Sequence, residues 1–370
     1  MAKLIEITGK VLSGEWGTDD ESGNGVPVLR TTNFTNEGIV DYSNVVTRTI
    51  QKKNIDAKYL RKGDIIIEKS GGSDKQPVGR VIYFDGPEST YLFNNFTGLL
   101  RVKNQAVWLP RYVFYSLFHN YRKGGTRPFE SKTTGLHNLK TDDYISRYEV
   151  LEAPISEQQS ICKQLDYVYD IIKTRQQQLQ KLDELVKARF VEMFGNPVAN
   201  EKGWHIELLK DVCNGIGDGL HGTPEYDEVG TYPFINGNNL TNGTIEITPS
   251  TKMVNIETYA NHYIEISDNA ILLSINGTLG KLALYNGEKV MLGKSACYCN
   301  LRPEINREFV YGVMRTNAFA EFLESNATAS TIKNVGLKAI RNFRLIVPPD
   351  DLQTKFVAFS RRIDKSKVVA

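Results

Sequence analysis

The chain has 370 residues, of which 41% are hydrophobic and 24% are charged, so it can bury two or three hydrophobic cores. Its longest apolar runs are far shorter than a bilayer span, and its first residues lack the apolar region of a signal peptide, so we expect a cytoplasmic protein without a membrane segment. Four cysteines are too few for a disulfide framework. Neither they nor the five histidines show the spacing of metal ligands, so no metal site is expected.

The first 155 residues alternate short β-rich runs with turn residues. The runs 26–31, 63–67, 78–84 and 97–102 are rich in residues that favour strands, and 113–121 has the pattern of a short helix. This mixture predicts an α+β domain dominated by an irregular sheet.

Residues 111–140 are the most basic stretch of this first domain, with six Lys and Arg residues against the single acid Glu130. Lys123 and Arg127 flank a Gly-Gly turn that could enter a DNA groove, so we interpret them as candidate phosphate contacts. The alternative is a solvated basic face, because the net charge of the whole chain is only +2. Polar turn residues are candidate base contacts, although each could instead satisfy its own backbone: Arg30, Thr31, Thr32, Ser70, Ser73, Lys75, Gln76 and His137.

A change of period follows. Residues 156–194 contain no Gly or Pro, and their apolar residues recur at spacings of three, four and seven, which predicts one long helix. Pro154 and Ser156 indicate its start, with Ser156 as the N-cap, and Gly195 indicates its end. Such a helix would span roughly 58 Å, and its apolar stripe needs a partner helix. The alternative is a helix packed along one domain. The predicted interface residues are Ile161, Leu165, Val168, Ile172, Leu179, Leu182, Val186 and Phe190.

The second half of the chain repeats the first. The segments 27–29 (PVL) and 33–36 (NFTN) reappear 206 residues later as PFI and NLTN, and the offset shrinks to 195 at Gln158 and Gln353. A period this long indicates two copies of a whole domain. The second copy is less basic, so its candidate DNA contacts are mainly amides and hydroxyls that pair with base edges: Asn236, Asn238, Asn276, Thr278, Ser330, Thr331, Lys333 and Asn334.

After the second copy the helical pattern begins again at 351–370 and stops about halfway along the length of the first. We therefore expect that part of the first helix has no partner within the chain. The expected unpaired residues are Leu179, Leu182, Val186, Phe190 and Met193, which would pair with a second copy in a homodimer or dock on another subunit.

Catalytic signatures are weak. The segment 217–222 fits G-x-G-x-x-G, but loop residues rather than a helix follow it, so a dinucleotide site is not expected. Asp64, Glu68 and Lys69 have the wrong spacing for a nuclease triad, and there is no methyltransferase motif or P-loop. We therefore expect a non-catalytic protein without a cofactor of its own.

The combination resembles the specificity subunit of type I restriction-modification systems. The resemblance covers the whole chain and rests on the duplicated PVL/PFI segment, on GDIII at 63–67 before a Ser/Gly loop, on PISEQQ at 154–159 and on RFVEMFG at 189–195. It implies two target recognition domains, 1–155 and 195–350. The spacer helices 156–194 and 351–370 would form an antiparallel coiled coil.

In that family, each domain reads one half of a split, asymmetric sequence of double-stranded DNA. The resemblance therefore implies two methyltransferase subunits and, in the full complex, restriction subunits as partners. S-adenosylmethionine and ATP would belong to those partners. Two alternatives remain open: a self-contained DNA-modifying enzyme, and a scaffold that spaces two ligand-binding domains without contacting DNA.

Overall fold

The computed structural model describes residues 1–52, 55–74, 76–133 and 136–369. The chain divides into two compact units, Met1–Ile172 and Lys173–Ala370, and each contains helices and sheets. This content confirms the α+β class. No helix within the described parts of the chain combines the length and the apolar character needed to cross a membrane.

The first unit is built from short strands. They are β1 (Ala2–Lys3), β2 (Leu12–Ser13), β3 (Thr18–Asp19), β4 (Val26–Leu29), β5 (Val46–Thr49), β6 (Ile65–Glu68), β7 (Ser70–Gly72), β8 (Val81–Tyr83), β9 (Leu92–Phe93), β10 (Thr97–Leu100), β11 (Glu130–Thr133), β12 (Leu136–Leu139) and β13 (Glu149–Val150). The helices are α1 (Leu4–Thr8), α2 (Pro110–Arg122), α3 (Thr141–Arg147) and the first part of the long helix α4 (Ile155–Phe194).

The second unit starts within α4 and adds a similar set of elements. Its strands are β14 (His205–Leu208), β15 (Cys213–Asp218), β16 (Tyr232–Ile235), β17 (Leu240–Thr241), β18 (Thr244–Ile245), β19 (Met253–Val254), β20 (Ala270–Ser274), β21 (Leu282–Leu284), β22 (Met291–Leu292), β23 (Ala296–Leu301) and β24 (Arg344–Val347). Its helices are α5 (Ile256–Asn261), α6 (Arg307–Met314), α7 (Asn317–Ser325), α8 (Leu337–Arg341) and α9 (Asp350–Val369).

The two units share one sheet topology. The first has the antiparallel order β2-β10-β6-β8, and the second has β15-β23-β20-β21. In each unit one further pair is parallel, β4 with β9 and β16 with β22. The duplication predicted from the sequence is therefore present in the backbone.

The central strand explains why each domain needs apolar residues on both faces of its sheet. In β6, Ile65 and Ile67 point into one core with Val113 and Leu117 of α2, whereas Ile66 points into a second core with Phe84. All three isoleucines are fully buried. Successive side chains of a strand face opposite sides, so a strand covered on both sides reads as a continuous apolar run.

The start of each long helix is fixed by a buried glutamine. The amide of Gln158 donates to the carbonyls of Ala153 and Val107, each at 2.8 Å, and that of Gln353 donates to the carbonyl of Pro348 at 2.8 Å. Helix α4 begins at Ile155, so Ser156 lies in its first turn and is not the N-cap that the sequence predicted. The glutamine holds the preceding chain where a capping side chain was expected.

The C-terminal end of α4 belongs to the core of the second unit. Val186, Phe190 and Phe194 are buried at a spacing of four residues, which places them on one face of the helix. The ring of Phe190 lies 5.2 Å from that of Phe356 in α9, and the ring of Phe194 lies 5.1 Å from that of Phe309 in α6.

Helix α9 runs antiparallel to this end of α4. Moving forward along α9, Phe359 lies against the guanidinium of Arg189, and then the ammonium of Lys367 donates to Asp183 at 2.7 Å. Arg315 also donates to Asp183, so one carboxylate links α4 to α9 and to the end of α6.

The expectation about which part of α4 is unpaired is therefore wrong for its C-terminal residues. Val186 and Phe190 are buried, and Met193 packs against the same core. The physical reason is the antiparallel direction of α9. Because α9 starts beside the C-terminal end of α4, its first turns cover that end. Among the interface residues predicted from the sequence, those that remain exposed are Leu165, Val168 and Ile172, which are 41%, 51% and 51% exposed.

Candidate nucleic-acid interface

The candidate phosphate contacts of the first domain lie on an anchored turn. Lys123 follows the last residue of α2, and the turn continues through Gly124, whose φ of 75° suits glycine. Lys123 and Arg127 are both exposed, and Arg127 donates to the carbonyl of Asp74 at 3.3 Å. The turn therefore presents two cations beside the loop that follows β7.

Part of the basic stretch has a different role. The guanidinium of Arg111 lies 4.6 Å from the ring centre of Tyr83 and donates to Asp166 of α4 at 2.9 Å. Lys132 pairs with Asp74 at 2.5 Å. These two charges are balanced within the domain, so the net charge of the segment overstates what DNA would meet.

The loop after β7 is closed by its own hydrogen bonds. The backbone N–H of Ser73 donates to the carbonyl of Gln76 at 2.7 Å, and the hydroxyl of Ser73 accepts from the N–H of Gln76 at 3.1 Å. Ser70 begins β7, and Lys75 lies outside the described residues. Two hydrogen bonds thus hold Ser73 and Gln76 together.

His137 differs from the other candidates because it is covered. Its side chain is only 8% exposed, with Nδ1 3.0 Å from Glu130 and Nε2 3.6 Å from Asp74. Its position in β12 pairs it with Gly72 in β7. In this arrangement both ring nitrogens of His137 face carboxylates of its own domain, so His137 helps to hold Asp74 in the loop instead of presenting its ring to a ligand.

Arg80 connects the remaining first-domain candidates to the same region. It donates to the carbonyls of Thr31 and Phe34 at 2.9 and 3.0 Å, and it pairs with buried Glu68 at 3.4 Å, two residues before Ser70. Thr32 is exposed beside this turn, whereas Arg30 is half-buried and donates to the carbonyl of Asn44. Arg80 thus links the turn that carries Thr31 and Thr32 to Glu68, which lies just before β7.

In the second domain the candidates divide into two groups. Asn236 is tied to the scaffold, since its side-chain oxygen accepts from the hydroxyl of Ser295 at 2.9 Å, and Asn238 beside it is exposed. Asn276 and Asn334 meet through their amides at 3.4 Å. The other candidates lie in neighbouring loops: Thr278, Ser330, Thr331 and Lys333. In these loops Lys333 pairs with Glu324 at 2.5 Å, and the hydroxyl of Ser330 contacts that of Thr328.

Asn276 and Asn334 line a cleft of about 440 Å³ whose other polar residues the sequence did not indicate. These are Asp218, His221 and Lys294, with Nε2 of His221 2.9 Å from the carboxylate of Asp218. Asp218 and His221 belong to the G-x-G-x-x-G segment, whose pattern points only to a dinucleotide motif. Only the tertiary fold brings these two residues to the same cleft as Lys294, so the spacing of residues in the sequence could not predict this cluster.

The structure places the weak catalytic candidates in supporting roles. Asp64 is buried and accepts from Arg101 at 2.7 and 2.6 Å. Burial raises the pKa of the Cys162 thiol to about 11 and also raises the pKa of Cys213, so neither thiol is activated. Among the residues described, no cluster of three or more His, Cys, Asp or Glu side chains could hold a metal ion.

These two similar domains have counterparts among known proteins. The model of the type I restriction modification DNA specificity domain matches residues 2–184 and again residues 201–368. The chain therefore belongs to the type I restriction modification DNA specificity domain family, which is a family of recognition domains and not of catalytic ones.

Two solved structures are similar to this chain over nearly its whole length. A chain from a structure of complex assembly and conformational transition of the type I R-M system matches at 15% identity and a TM-score of 0.51, covering 100% of this chain and 90% of that one. A type I restriction-modification S subunit from M. genitalium matches at 16% identity and a TM-score of 0.49, covering 99% and 89%. The first likeness supports the fold.

Proposed function

We propose that the chain is the DNA sequence-specificity subunit of a type I restriction-modification complex, and that it reads a bipartite, asymmetric site with one domain on each half. The observation that carries this proposal is the double match to the DNA specificity family, on two domains of one strand order. Their loops differ: Arg30 and Thr31 in one domain correspond to Asn236 and Gly237 in the other. Different side chains on one scaffold favour different half-sites.

The spacer in this proposal is made of the two long helices. We assign 1–155 and 195–350 to the target recognition domains and 156–194 and 351–370 to the spacer, as an antiparallel coiled coil. The contacts of Phe359 with Arg189 and of Lys367 with Asp183 support this direction. A helical spacer keeps two readers at a fixed separation along DNA, which repeats its face every ~34 Å.

The exposed apolar stretch of α4 is the proposed docking surface for partners. Leu165, Val168 and Ile172 would be covered by two methyltransferase subunits, or by the same stretch of a second copy of the chain in a homodimer. Restriction subunits would complete the complex. S-adenosylmethionine and ATP would be bound by those partners, and the complex would act in the cytoplasm, where its DNA lies.

Exchange of residues 1–155 for a homologous domain tests modular reading. With the cognate methyltransferase present, methylome sequencing should show one half of the methylated motif changed and the other half kept. A swap that alters both halves, or neither, contradicts the proposal. A complex that methylates with no sequence preference would contradict the function itself.

A four-residue insertion near residues 176–180 tests the spacer. It adds about one helical turn, or ~6 Å, and should lengthen the gap between the half-sites by one to two base pairs at ~3.4 Å each. Both half-sites should stay the same. An active complex with an unchanged gap would show that this helix does not set the separation.

Sedimentation of the variant Leu165→Asp/Ile172→Asp, alone and with methyltransferase, tests the docking surface. Both side chains are at the surface, so the variant should fold and yet lose self-association or methyltransferase binding. Val186→Asp is unsuitable for this purpose, because Val186 lies in the core of the second unit. Unchanged assembly in both measurements would exclude this stretch as an interface.

A further inference from the structure

The cleft in the second domain is a preformed site with mixed polar character. The N–H of Leu220 donates to the carbonyl of Leu292 at 2.8 Å, and the N–H of Lys294 donates back to the carbonyl of Leu220 at 3.0 Å. These bonds fix the wall that carries Asp218, His221 and Lys294. Because the wall is held by backbone bonds, its side chains need no rearrangement of the chain to meet a ligand.

The opposite wall is fixed in the same way. The N–H of Val335 donates to the carbonyl of Ile275, and the N–H of Gly277 donates to the carbonyl of Lys333, each at 2.9 Å. This pairing brings the amides of Asn276 and Asn334 to the cleft. The site therefore combines a cation, a carboxylate and two amides on rigid segments.

The charges in the cleft are suited to a base pair and not to a phosphate. Lys294 is exposed, and within the described ranges its ammonium has no ion pair or hydrogen bond. Asp218 is mostly buried, with a side-chain exposure of 17%, and its Oδ2 is engaged by His221, which leaves Oδ1 as an acceptor. A carboxylate in the cleft would repel a phosphate, whereas a base pair needs both a donor and an acceptor.

We propose that this cleft reads a G·C base pair of the half-site bound by the second domain. Lys294 donates to the O6 and N7 acceptors of guanine, and Asp218 accepts from the N4 amino group of cytosine. His221 is a positioning residue that holds Asp218. This inference rests on the proposed function, since it names the base pair that one of the two readers selects.

Among its described residues, the first domain lacks this arrangement. The β-sheet registers pair Ser13 with Gly98 and Asp218 with Cys297 at matching places, so Ser13 occupies the position of Asp218. The hydroxyl of Ser13 is engaged by Lys69 at 2.8 Å. Asn95, two residues after β9, occupies the position of Lys294, two residues after β22. The first domain should therefore not share the G·C preference, and Asn95 supplies a matched control.

The test uses the full chain assembled with its methyltransferase, with Lys294→Met, Lys294→Arg and Asp218→Asn in the second domain and Asn95→Met in the first. Binding is measured by competition with duplexes altered at one base pair at a time, and methylated motifs are sequenced. Wild type should favour G·C at one position by about 5- to 150-fold. Lys294→Met should abolish that preference, and Lys294→Arg should keep it. Asp218→Asn should reduce the preference without abolishing it, because its amide oxygen can still accept from cytosine but carries no charge.

Three readouts distinguish a base contact from a phosphate contact or a folding defect. The half-site read by the first domain, the slope of affinity against salt and the melting temperature should stay unchanged in Lys294→Met, whereas Asn95→Met should leave the G·C position intact. A uniform loss of affinity with a salt slope smaller by about one would identify a phosphate contact and overturn the inference. An unchanged motif in both Lys294→Met and Asp218→Asn would also overturn it. A wild-type complex without sequence preference would instead contradict the proposed function.

Discussion

The two domains share a backbone plan but stabilise it with different chemistry. In both, an asparagine closes the turn after the parallel strand: the side-chain oxygen of Asn33 accepts from the N–H of Arg30 at 2.9 Å, and that of Asn239 accepts from Asn236 at 3.0 Å. These shared anchors sit in the scaffold. Because the same asparagine anchor recurs while the residues beside it differ, the neighbouring loop residues can vary between the two domains without loss of the turn.

The polar groups at the start of the central strand, which is β6 in the first domain and β20 in the second, differ in charge between the two domains. In the first domain Asp64 accepts from the N–H of Arg61 and pairs with Arg101. In the second, the amide of Asn300 accepts from the N–H of Ser267 at 3.0 Å, with no ion pair between these groups. The neutral side chain of Asn300 thus stands where the first domain has a partly buried ion pair.

The largest expected effect separates the two ends of α4. Phe190→Ala should destabilise the second domain by about 3 to 5 kcal/mol, because it empties a buried site surrounded by aromatic rings. Leu165→Ala is the matched control near the other end and should cost under about 1 kcal/mol, since Leu165 is 41% exposed. Hydrogen exchange resolved by domain measures both. Equal effects would contradict the assignment of this end of α4 to the second core.

The next effect tests the charged anchor against the neutral one. Asp64→Ala should destabilise the first domain by about 3 kcal/mol, because it leaves the partly buried Arg101 without its carboxylate. Asn300→Ala removes two hydrogen bonds and should cost the second domain about 1 to 2 kcal/mol. Denaturant unfolding followed by domain provides the comparison. A larger loss from Asn300→Ala would reverse the ranking.

Sequence patterns predicted the features that repeat locally. The duplication, the long helix and the buried isoleucine run of β6 follow from spacing, because helices and strands impose fixed periods on apolar residues. The patterns could not show that Arg111 is neutralised by Asp166, 55 residues away, or that α9 covers Phe190. They also missed the cleft that joins Asp218 to Lys294. Each of these depends on which distant segments the fold brings together.

A smaller effect concerns phosphate contacts in the two domains. Lys123→Ala/Arg127→Ala should weaken binding to all DNA sequences and lower the slope of log affinity against log salt by about two, because two cations are removed. Lys333→Ala in the second domain should change the slope by less than about one, since Glu324 already offsets its charge. Titrations at several salt concentrations measure this. A loss confined to one sequence would instead assign Lys123 and Arg127 to base reading.

The smallest expected effect is a pH dependence in the first domain alone. Burial raises the pKa of the Glu68 carboxyl above its ordinary value, although Arg80 opposes the shift. At the matching place the second domain has Ser274, whose hydroxyl accepts from the N–H of Lys281 and does not titrate in this range. Both residues end the central strand and pair through their N–H with the adjacent strand.

The direction follows from proton binding. Because the pKa is higher in the folded than in the unfolded state, the folded domain binds more protons between the two values, so the contribution of Glu68 to stability grows as the pH falls and is lost as the pH rises through the folded pKa. From about pH 7 to about pH 5, wild type should therefore gain stability relative to Glu68→Gln by on the order of 1 kcal/mol or less. The amide oxygen introduced by this substitution can still accept from Arg80, so the comparison isolates the charge. Ser274→Ala is the control and should show no such change with pH. If wild type instead lost stability relative to Glu68→Gln on acidification, the attraction of Arg80 would outweigh burial, and the charged anchor would stabilise the first domain at neutral pH.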